Sequence, residues 1–308
     1  MTRFALPTRA GNVIVILGLC CAVSAIGQTA DPSLDAVAAD PTTFDAAFPA
    51  ATRSFKFASG GVPLNGRALI AQGKGPHPTV ILLHGLPGIE LNLDLAQAIR
   101  RAGWNVLMFH YRGSWGSGGD FSFSNVLQDV DAAVAHVRSP ATAADLRIDM
   151  KRIALVGHSM GGFAALTAAA RDPEIHAVAS ISGWDVGLAG TAARSNTKMV
   201  DFVSKLLSTS TELRVPSTDA VIQEWLAKAD DWLLAKSAPA LTKKSVLLVA
   251  ASRDTVVPPA RYHAPLLQAL QEQKAGSLTE VTLESDHSYS DRRIALSKAV
   301  VSWLERQK

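Results

Sequence analysis

Short apolar runs that alternate with amphipathic segments are the feature that most constrains the fold of this 308-residue chain. The run TVILLHG at 79–85 is continuously apolar up to its end, as expected of a strand buried on both faces. Further runs of this kind are WNVLMFHY, RIALVGHS, IHAVASIS and SVLLVAA, and segments of helical periodicity separate them. Strands that alternate with helices predict an α/β fold, in which a mainly parallel sheet carries helices on both faces.

The alternation of strands and helices is interrupted at about residues 184–242. Apolar residues recur there at helical spacing, and the run VIQEWLAKADDWLLAK also favours helix. Strand and helix signals resume after this segment and continue to the C-terminus. We therefore predict one domain over residues 52–308, with a small helical cap inserted at about 184–242.

The N-terminus has the pattern of an export signal. A short lead with two arginines precedes an apolar run at 13–27, which is shorter than the roughly 20 residues of a membrane-spanning helix. Val23 and Ala25 are small enough for signal peptidase, so we expect cleavage after Ala25, with cleavage after Gly27 as the alternative. The protein is then periplasmic or secreted; an uncleaved membrane anchor is the competing interpretation.

Cleavage of residues 1–25 changes the bulk properties of the chain. The segment holds two arginines and no acidic residue, so its removal lowers the formal net charge from +3 to +1. Both cysteines, Cys20 and Cys21, leave with it, which excludes disulfides, a cysteine nucleophile and cysteine-bound metal in the mature protein. The basic residues are not clustered, so we expect no nucleic-acid partner. The acidic stretch at 26–51 predicts a flexible arm.

The segment VGHSMGG at 156–162 predicts a nucleophilic serine. Its G-x-S-x-G pattern lies between a buried strand and a helix of small residues. A sharp strand-to-helix turn of this kind exposes the serine, and Gly157 and Gly161 leave room for it. The helix N-terminus directs free N–H groups and a partial positive charge toward a developing oxyanion. We expect Ser159 to be the nucleophile.

A serine nucleophile requires a general base, and three histidines follow Ser159 in the chain. His287 lies after the last predicted strand, and the C-terminal ends of strands are where α/β sheets place functional groups. His176 begins a strand, at the opposite edge from Ser159, and His263 lies inside a predicted helix. We therefore predict His287 as the base, and packing or surface positions for the other two.

The base in turn requires an acid that orients it. Asp254 follows the strand SVLLVAA and therefore reaches the same edge of the sheet as Ser159. Asp286, beside the histidine, and Asp185, after the fourth buried strand, are the alternatives. Neighbouring residues in an extended loop tend to point apart, which disfavours Asp286. We predict Asp254 as the acid.

An oxyanion hole requires two backbone N–H groups. Met160, the residue after the nucleophile, is expected to supply one of them. The second is expected from HGLPG at 84–88, where Pro87 has no N–H and Leu86 is the most suitable donor. His84 is expected to brace this loop through hydrogen bonds.

Four motifs in this order, HGLPG, GHSMGG, SRDTVVP and SDHSYSDRR, resemble those of the α/β-hydrolase superfamily from about Phe55 to the C-terminus. The family's chain order of serine, acid and histidine agrees with the three residues chosen above. Within the superfamily, HYRGSWGSGG at 110–119 is similar to dienelactone-hydrolase-like proteins and to the catalytic domains of prolyl-oligopeptidase-type peptidases. Two departures are Ser159 in place of the cysteine of dienelactone hydrolases, and the absence of the oligopeptidases' large propeller.

The resemblance implies a serine hydrolase that cleaves carboxylic esters of small exported or environmental substrates through an acyl-enzyme. Peptidase or amidase activity is the first alternative, and a non-catalytic binding protein is the second. Trp115, Trp225 and Trp232 are candidates for substrate binding, although packing of the cap explains the last two as well. We expect no cofactor or metal, since the chain has neither H-E-x-x-H nor a P-loop.

Overall fold

The computed structural model of the protein describes residues 1–2 and 36–308. Residues 36–308 lie within one compact unit, to which the description below applies. The predicted signal peptide and both cleavage positions, at Ala25 and Gly27, lie outside the described residues, so export stays a prediction. Among the residues described, no helix combines the length and the apolar character needed to cross a membrane.

Within the described part of the chain, one sheet contains eight strands. These are β1 (Ala51–Ser59), β2 (Val62–Ile70), β3 (His77–Leu83), β4 (Asn105–Phe109), β5 (Ile148–His158), β6 (Ala177–Ile181), β7 (Ser245–Ala251) and β8 (Ser277–Leu283). Their order across the sheet is β1-β2-β4-β3-β5-β6-β7-β8. The first two strands pair antiparallel to each other, and β2 also pairs antiparallel to β4, whereas all other pairs are parallel. The predicted mainly parallel sheet is thereby confirmed.

Helices connect the strands and cover both faces of the sheet. They are α1 (Leu93–Arg101), α2 (Phe123–Val137), α3 (Pro140–Leu146), α4 (Met160–Arg171), α5 (Val186–Ala193), α6 (Thr197–Thr209), α7 (Thr218–Lys228), α8 (Ala238–Leu241), α9 (Pro259–Glu272) and α10 (Arg293–Glu305). A 3-10 turn at Leu234–Ser237 precedes α8. Helices α5 to α8 form the helical insertion between β6 and β7.

The apolar run of β3 is continuous because the two faces of the strand pack against two separate hydrophobic cores. Successive side chains of a strand point to opposite faces, so Val80 and Leu82 join one core and Ile81 and Leu83 the other. The first core also contains the apolar faces of α1 and α10, and the second contains those of α2 and α4. Because both faces are covered, every residue of β3 is buried.

The carboxyl ends of the parallel strands bring the predicted functional residues to one edge of the sheet. There β5 ends at His158 directly before Ser159, and the loops after β7 and β8 carry Asp254 and His287. The loop after β3 contains residues 84–88 and lies at the same edge, since β3 pairs in parallel with β5. This arrangement follows from the topology, because parallel strands all end on the same side.

Asp185 ties the two ends of the helical insertion together. Its Oδ1 accepts a hydrogen bond from Leu188 N–H at 2.8 Å and caps α5, while its Oδ2 accepts one from Leu234 N–H at 3.2 Å. Burial raises the pKa of this carboxyl to about 6 against the lowering effect of these hydrogen bonds. The predicted alternative acid thus has a structural role.

Candidate active site

Ser159 occupies a strained turn between β5 and α4. Its backbone has φ 56° and ψ −122°, a conformation that residues other than glycine seldom adopt. Hydrogen bonds on both sides hold it there: Ser159 N–H donates to Ile181 O at 2.9 Å, and Trp184 N–H donates to Ser159 O at 3.0 Å. The side chain is therefore presented at the edge of the sheet, as in the nucleophile turn of the G-x-S-x-G pattern.

Two glycines allow the strand and helix to approach closely around this turn. A Cβ atom on Gly157 would overlap the carbonyl of Gly161, and a Cβ atom on Gly161 would overlap the carbonyl of Leu83 in β3. These obstacles are backbone atoms, which cannot move aside as a flexible side chain can. The glycines that the sequence pattern singled out are therefore required for packing around the serine.

Asp254 and His287 form a short hydrogen bond. His287 Nδ1 lies 2.6 Å from Asp254 Oδ2, and the aspartate side chain is buried. The other carboxylate oxygen, Oδ1, accepts hydrogen bonds from Val256 N–H at 2.9 Å and Val257 N–H at 2.7 Å. Because the ionised carboxylate can only accept, the proton of the neutral imidazole lies on Nδ1 and leaves Nε2 free to act as a base.

Ser159 and His287 line the same small cavity. This cavity has a volume of about 150 Å³ and is also lined by the loop 85–90, His158 and Ser288; we call it the small cavity. Ser159 Oγ makes no hydrogen bond to any residue of the range 36–308, so the contact with the histidine is not formed in this structure. Serine–histidine contacts are commonly long without substrate and tighten in the complex.

His158, directly before Ser159, supports the position of His287. Its Nε2 lies 2.9 Å from the backbone carbonyl of His287, and the two ring centroids are 4.7 Å apart. Burial, with a smaller contribution from the charge of His287, lowers the pKa of His158 to about 3. The ring is therefore neutral and donates from Nε2. This residue was not predicted from the sequence, although its place in GHSMGG was the available signal.

Arg293 fixes the other side of the loop that carries His287. Its Nη1 donates to the carbonyl of Ser288 at 2.8 Å, and its Nη2 donates to Asn92 Oδ1 at 3.0 Å. An ion pair between Arg293 and Asp94 at the start of α1 completes this link. The histidine loop is thus attached to the element that follows β3, and the sequence pattern contained no indication of this contact.

Two backbone N–H groups near Ser159 are free to bind an oxyanion. Neither Leu86 N–H nor Met160 N–H forms a hydrogen bond with another of the described residues. Met160 begins α4, so its N–H is one of those that a helix leaves without an internal partner. A Cβ atom added to Gly85 would lie 2.9 Å from Ser159 Cβ, so the loop that contains Leu86 approaches Ser159 closely.

The loop that carries Leu86 is braced by ring side chains. His84 Nδ1 lies 2.8 Å from the carbonyl of Gly85, and the His84 ring occupies the space where Gly88 would otherwise have a Cβ atom. Trp115 Nε1 donates to the carbonyl of Pro87 at 3.1 Å. Burial lowers the pKa of His84 to about 4, so this ring is neutral. His84 therefore braces the loop in the way expected from its position.

A larger, mostly apolar cavity of about 540 Å³ also reaches Ser159; we call it the large cavity. It is lined by Leu86, Ser159, Trp184, Ala189, Asn196, Lys198, Met199, Phe202, Val203, Leu206, Thr255, Val256, Val257, Pro258, Arg261 and Tyr262. One wall is the apolar face of α6, and another is the loop after Asp254. Trp184 is the tryptophan that lines this cavity, and the sequence analysis did not select it.

The three tryptophans proposed as substrate contacts lie elsewhere. Trp225 is completely buried and donates from Nε1 to Val186 O at 2.8 Å, and Trp232 packs against Phe163. Neither lines a cavity at Ser159, because both bury their rings where the insertion meets the sheet domain. Trp115 lines a separate cavity of about 280 Å³ together with His84. Trp115 therefore contacts the loop that carries Leu86, through the carbonyl of Pro87, and does not line either cavity at Ser159.

The alternative bases and acids do not join the cluster. His263 lies 3.4 Å from Glu280, and Asp286 accepts hydrogen bonds from Ser290. His176 precedes β6 and so lies at the opposite edge of the sheet from Ser159. Over residues 1–2 and 36–308, no group of three or more His, Cys, Asp and Glu side chains is placed to hold a metal ion.

Comparison with known sequences assigns the family. The model of the family described as "Alpha/beta hydrolase family" matches residues 80–302. An uncharacterized 31.7 kDa protein of Escherichia coli, from the traX-finO intergenic region, is 29% identical over 143 residues. That match includes 44% of this chain and spans about half (48%) of the length of the E. coli protein.

Solved structures agree with the family at the level of the fold. Est1E from Butyrivibrio proteoclasticus, solved with ferulic acid bound, has a TM-score of 0.61 and 21% identity, over 82% of this chain and 98% of Est1E. For an esterase from Pyrococcus furiosus the TM-score is 0.59 at 19% identity, over 87% and 97% of the chains. An acylaminoacyl peptidase from Pyrococcus horikoshii has a TM-score of 0.61 at 18% identity, over 83% of this chain and 41% of the peptidase. By its sequence and its fold, the chain belongs to the alpha/beta hydrolase family.

Proposed function

We propose that the protein is a serine hydrolase that cleaves carboxylic esters. The observation that carries this proposal is the convergence of three groups at the carboxyl edge of the sheet. Ser159 is held in a strained turn beside the small cavity, and the Asp254–His287 pair, joined at 2.6 Å, reaches the same cavity. A binding protein has no requirement for a strained serine beside an oriented imidazole, so this arrangement favours catalysis.

The reaction follows from the placement of these groups. As Ser159 Oγ attacks the substrate carbonyl carbon, His287 Nε2 takes the hydroxyl proton, and Asp254 stabilises the resulting imidazolium. The N–H groups of Leu86 and Met160 bind the oxyanion of the tetrahedral intermediate. His287 then returns the proton to the departing alcohol, and an acyl-enzyme remains. Water, activated by the same histidine, hydrolyses the acyl-enzyme and regenerates the serine.

We favour esters over amides because the large cavity is mostly apolar and therefore suits an apolar acyl group. Peptidase or amidase activity uses the same catalytic groups and is the alternative. The similarity to an acylaminoacyl peptidase is one of fold and does not decide between them. A panel of matched ester and amide substrates with the same acyl group separates the two activities.

Labelling with a fluorophosphonate probe tests the activated serine. We expect the wild-type protein to be labelled and the Ser159→Ala variant not to be. Ser288→Ala is the matched control, because Ser288 lines the same cavity, and it is expected to be labelled like the wild type. Asp254→Asn is expected to lower ester turnover by about 10⁴, as loss of the orienting acid does in serine hydrolases. A folded wild-type protein that takes no label would refute the proposal.

A further inference from the structure

Ser159 lies where the small cavity and the large cavity meet, and the two have different chemistry. In the proposed reaction, the departing alcohol receives its proton from His287 Nε2 and therefore leaves on the side of His287. His287 lines the small cavity and not the large one. The acyl group, on the other side of the scissile bond, is then directed into the large cavity.

The walls of the large cavity suit an apolar acyl chain. Met199, Phe202, Val203 and Leu206 recur on one face of α6 and line the cavity together with Val257. Phe202 is 61% exposed although it is a large apolar side chain. An apolar ligand that covers this face gains the free energy of removing such surface from water.

Two cations without acidic partners among the described residues also line the large cavity. Lys198 and Arg261 both border it, and no aspartate or glutamate of the described chain does so. Neither cation forms an ion pair within residues 36–308. The guanidinium of Arg261 instead lies 5.7 Å from the centre of the Tyr262 ring. The large cavity therefore has an uncompensated positive charge beside its apolar wall.

Other cations at this edge of the sheet are neutralised by carboxylates. Arg293 pairs with Asp94, and Arg253 pairs with Asp291. The small cavity, in contrast, is lined by an acidic side chain, Glu90. Positive charge without a partner is thus a property of the acyl side of the site, and it complements an anionic group there.

We propose that the acyl group of the preferred substrate is an apolar chain that ends in an anionic group such as a carboxylate, which Lys198 and Arg261 bind. This inference rests on the proposed serine hydrolase activity. The small cavity then receives the alcohol. Half-esters of dicarboxylic acids with small alcohols are the simplest compounds that meet both conditions.

Two esters test the inference, namely monomethyl suberate and methyl octanoate. They have the same carbon chain and the same leaving group, and they differ by one terminal carboxylate. We expect the wild-type protein to have the higher kcat/KM for monomethyl suberate, and added salt to reduce this preference because it screens exposed charges. Release of methanol is measured for both esters.

Variants assign the preference to the two cations. Lys198→Gln and Arg261→Gln are each expected to lower the ratio of the two kcat/KM values by about two- to fivefold, since pairs between exposed charges are weak. The double variant is expected to lower this ratio further, because kcat/KM falls more for monomethyl suberate than for methyl octanoate. Lys205→Gln is the control, because Lys205 is exposed on the same helix but does not line the cavity.

The outcomes separate this inference from the proposed function. If Ser159 takes the fluorophosphonate label and methyl octanoate is hydrolysed, but the ratio is unchanged in the double variant, the anionic acyl group is refuted and the hydrolase remains. An equal loss in Lys205→Gln refutes it as well, because the effect is then one of net charge. Absence of both labelling and hydrolysis overturns the proposed function itself.

Discussion

Replacement of His158 by glutamine is expected to make the protein less sensitive to acid. His158 is 3% exposed, and its Nε2 donates to the carbonyl of His287 at 2.9 Å. The amide nitrogen of glutamine can occupy nearly the same position as Nε2 and donate the same hydrogen bond. His158→Gln therefore removes a titrating group while it keeps the contact that supports the catalytic loop.

The size of the effect follows from the pKa of His158. Burial lowers this pKa from its ordinary value of 6.5 to about 3, so the folded state requires a neutral ring. The contribution of neutral His158 to the free energy of unfolding is fully present above about pH 6.5 and is lost as pH falls toward 3. It is lost because the unfolded chain takes up a proton that the folded chain excludes. The free energy of unfolding then changes with pH by at most about 1.4 kcal/mol per pH unit. Between pH 7 and pH 5, the free energy of unfolding of the wild-type protein therefore falls by roughly 2 kcal/mol more than that of the variant.

Urea unfolding of both proteins at pH 7 and pH 5 measures this difference. Buried His84, with its pKa lowered to about 4, and Asp185, with its pKa raised to about 6, change the free energy of unfolding in opposite directions over this range. Both residues are present in the two proteins, so their contributions cancel in the comparison. If the free energies of unfolding of the two proteins change in parallel between pH 7 and pH 5, the reasoning is refuted. Ester turnover at pH 7 is expected to be retained in His158→Gln and to fall in His158→Leu, which lacks the donor.

Two further substitutions test the interior. Asp129→Ala breaks the buried pair with Arg112, whose atoms Nε and Oδ1 are 2.6 Å apart. It is expected to lower the free energy of unfolding by about 3–5 kcal/mol in urea, and a loss below about 1 kcal/mol would contradict this. Trp225→Phe removes the hydrogen bond to Val186 O and part of a buried ring, at a cost of about 1–3 kcal/mol. Its KM for esters should stay the same, and a large change would place Trp225 in contact with substrate after all.

The residues that the sequence identifies best are those at the ends of strands. Ser159, Asp254 and His287 each follow a predicted strand, and a parallel sheet gathers the C-terminal ends of its strands at one edge. The period of the apolar pattern and the direction of the strands locate this edge, and the G-x-S-x-G pattern and the chemistry of the side chains select the three residues there. The structure then places His287 Nδ1 within 2.6 Å of Asp254 Oδ2, a distance that no pattern contains.

The lining of the large cavity could not be predicted in the same way. Helix α6 and the segment that contains Trp225 have similar apolar spacing, and both patterns indicate only that one face is covered. What covers that face depends on how the insertion packs on the sheet domain. Trp225 is completely buried in that packing, whereas Phe202 of α6 stays 61% exposed and lines the cavity. Tertiary contacts, which a local pattern does not encode, decide between these two environments.

The loop after β7 links the proposed catalytic acid to the proposed acyl site. The backbone N–H groups of Val256 and Val257 hold Oδ1 of Asp254, while the side chains of the same two valines line the large cavity. A change in the path of this loop would therefore move the carboxylate and the cavity wall together. In the motif SRDTVVP the aspartate is the residue with recognisable chemistry, yet its orientation depends on the backbone of its apolar neighbours. If the proposed function is correct, we expect substrate fit and the position of His287 to be coupled through these three residues.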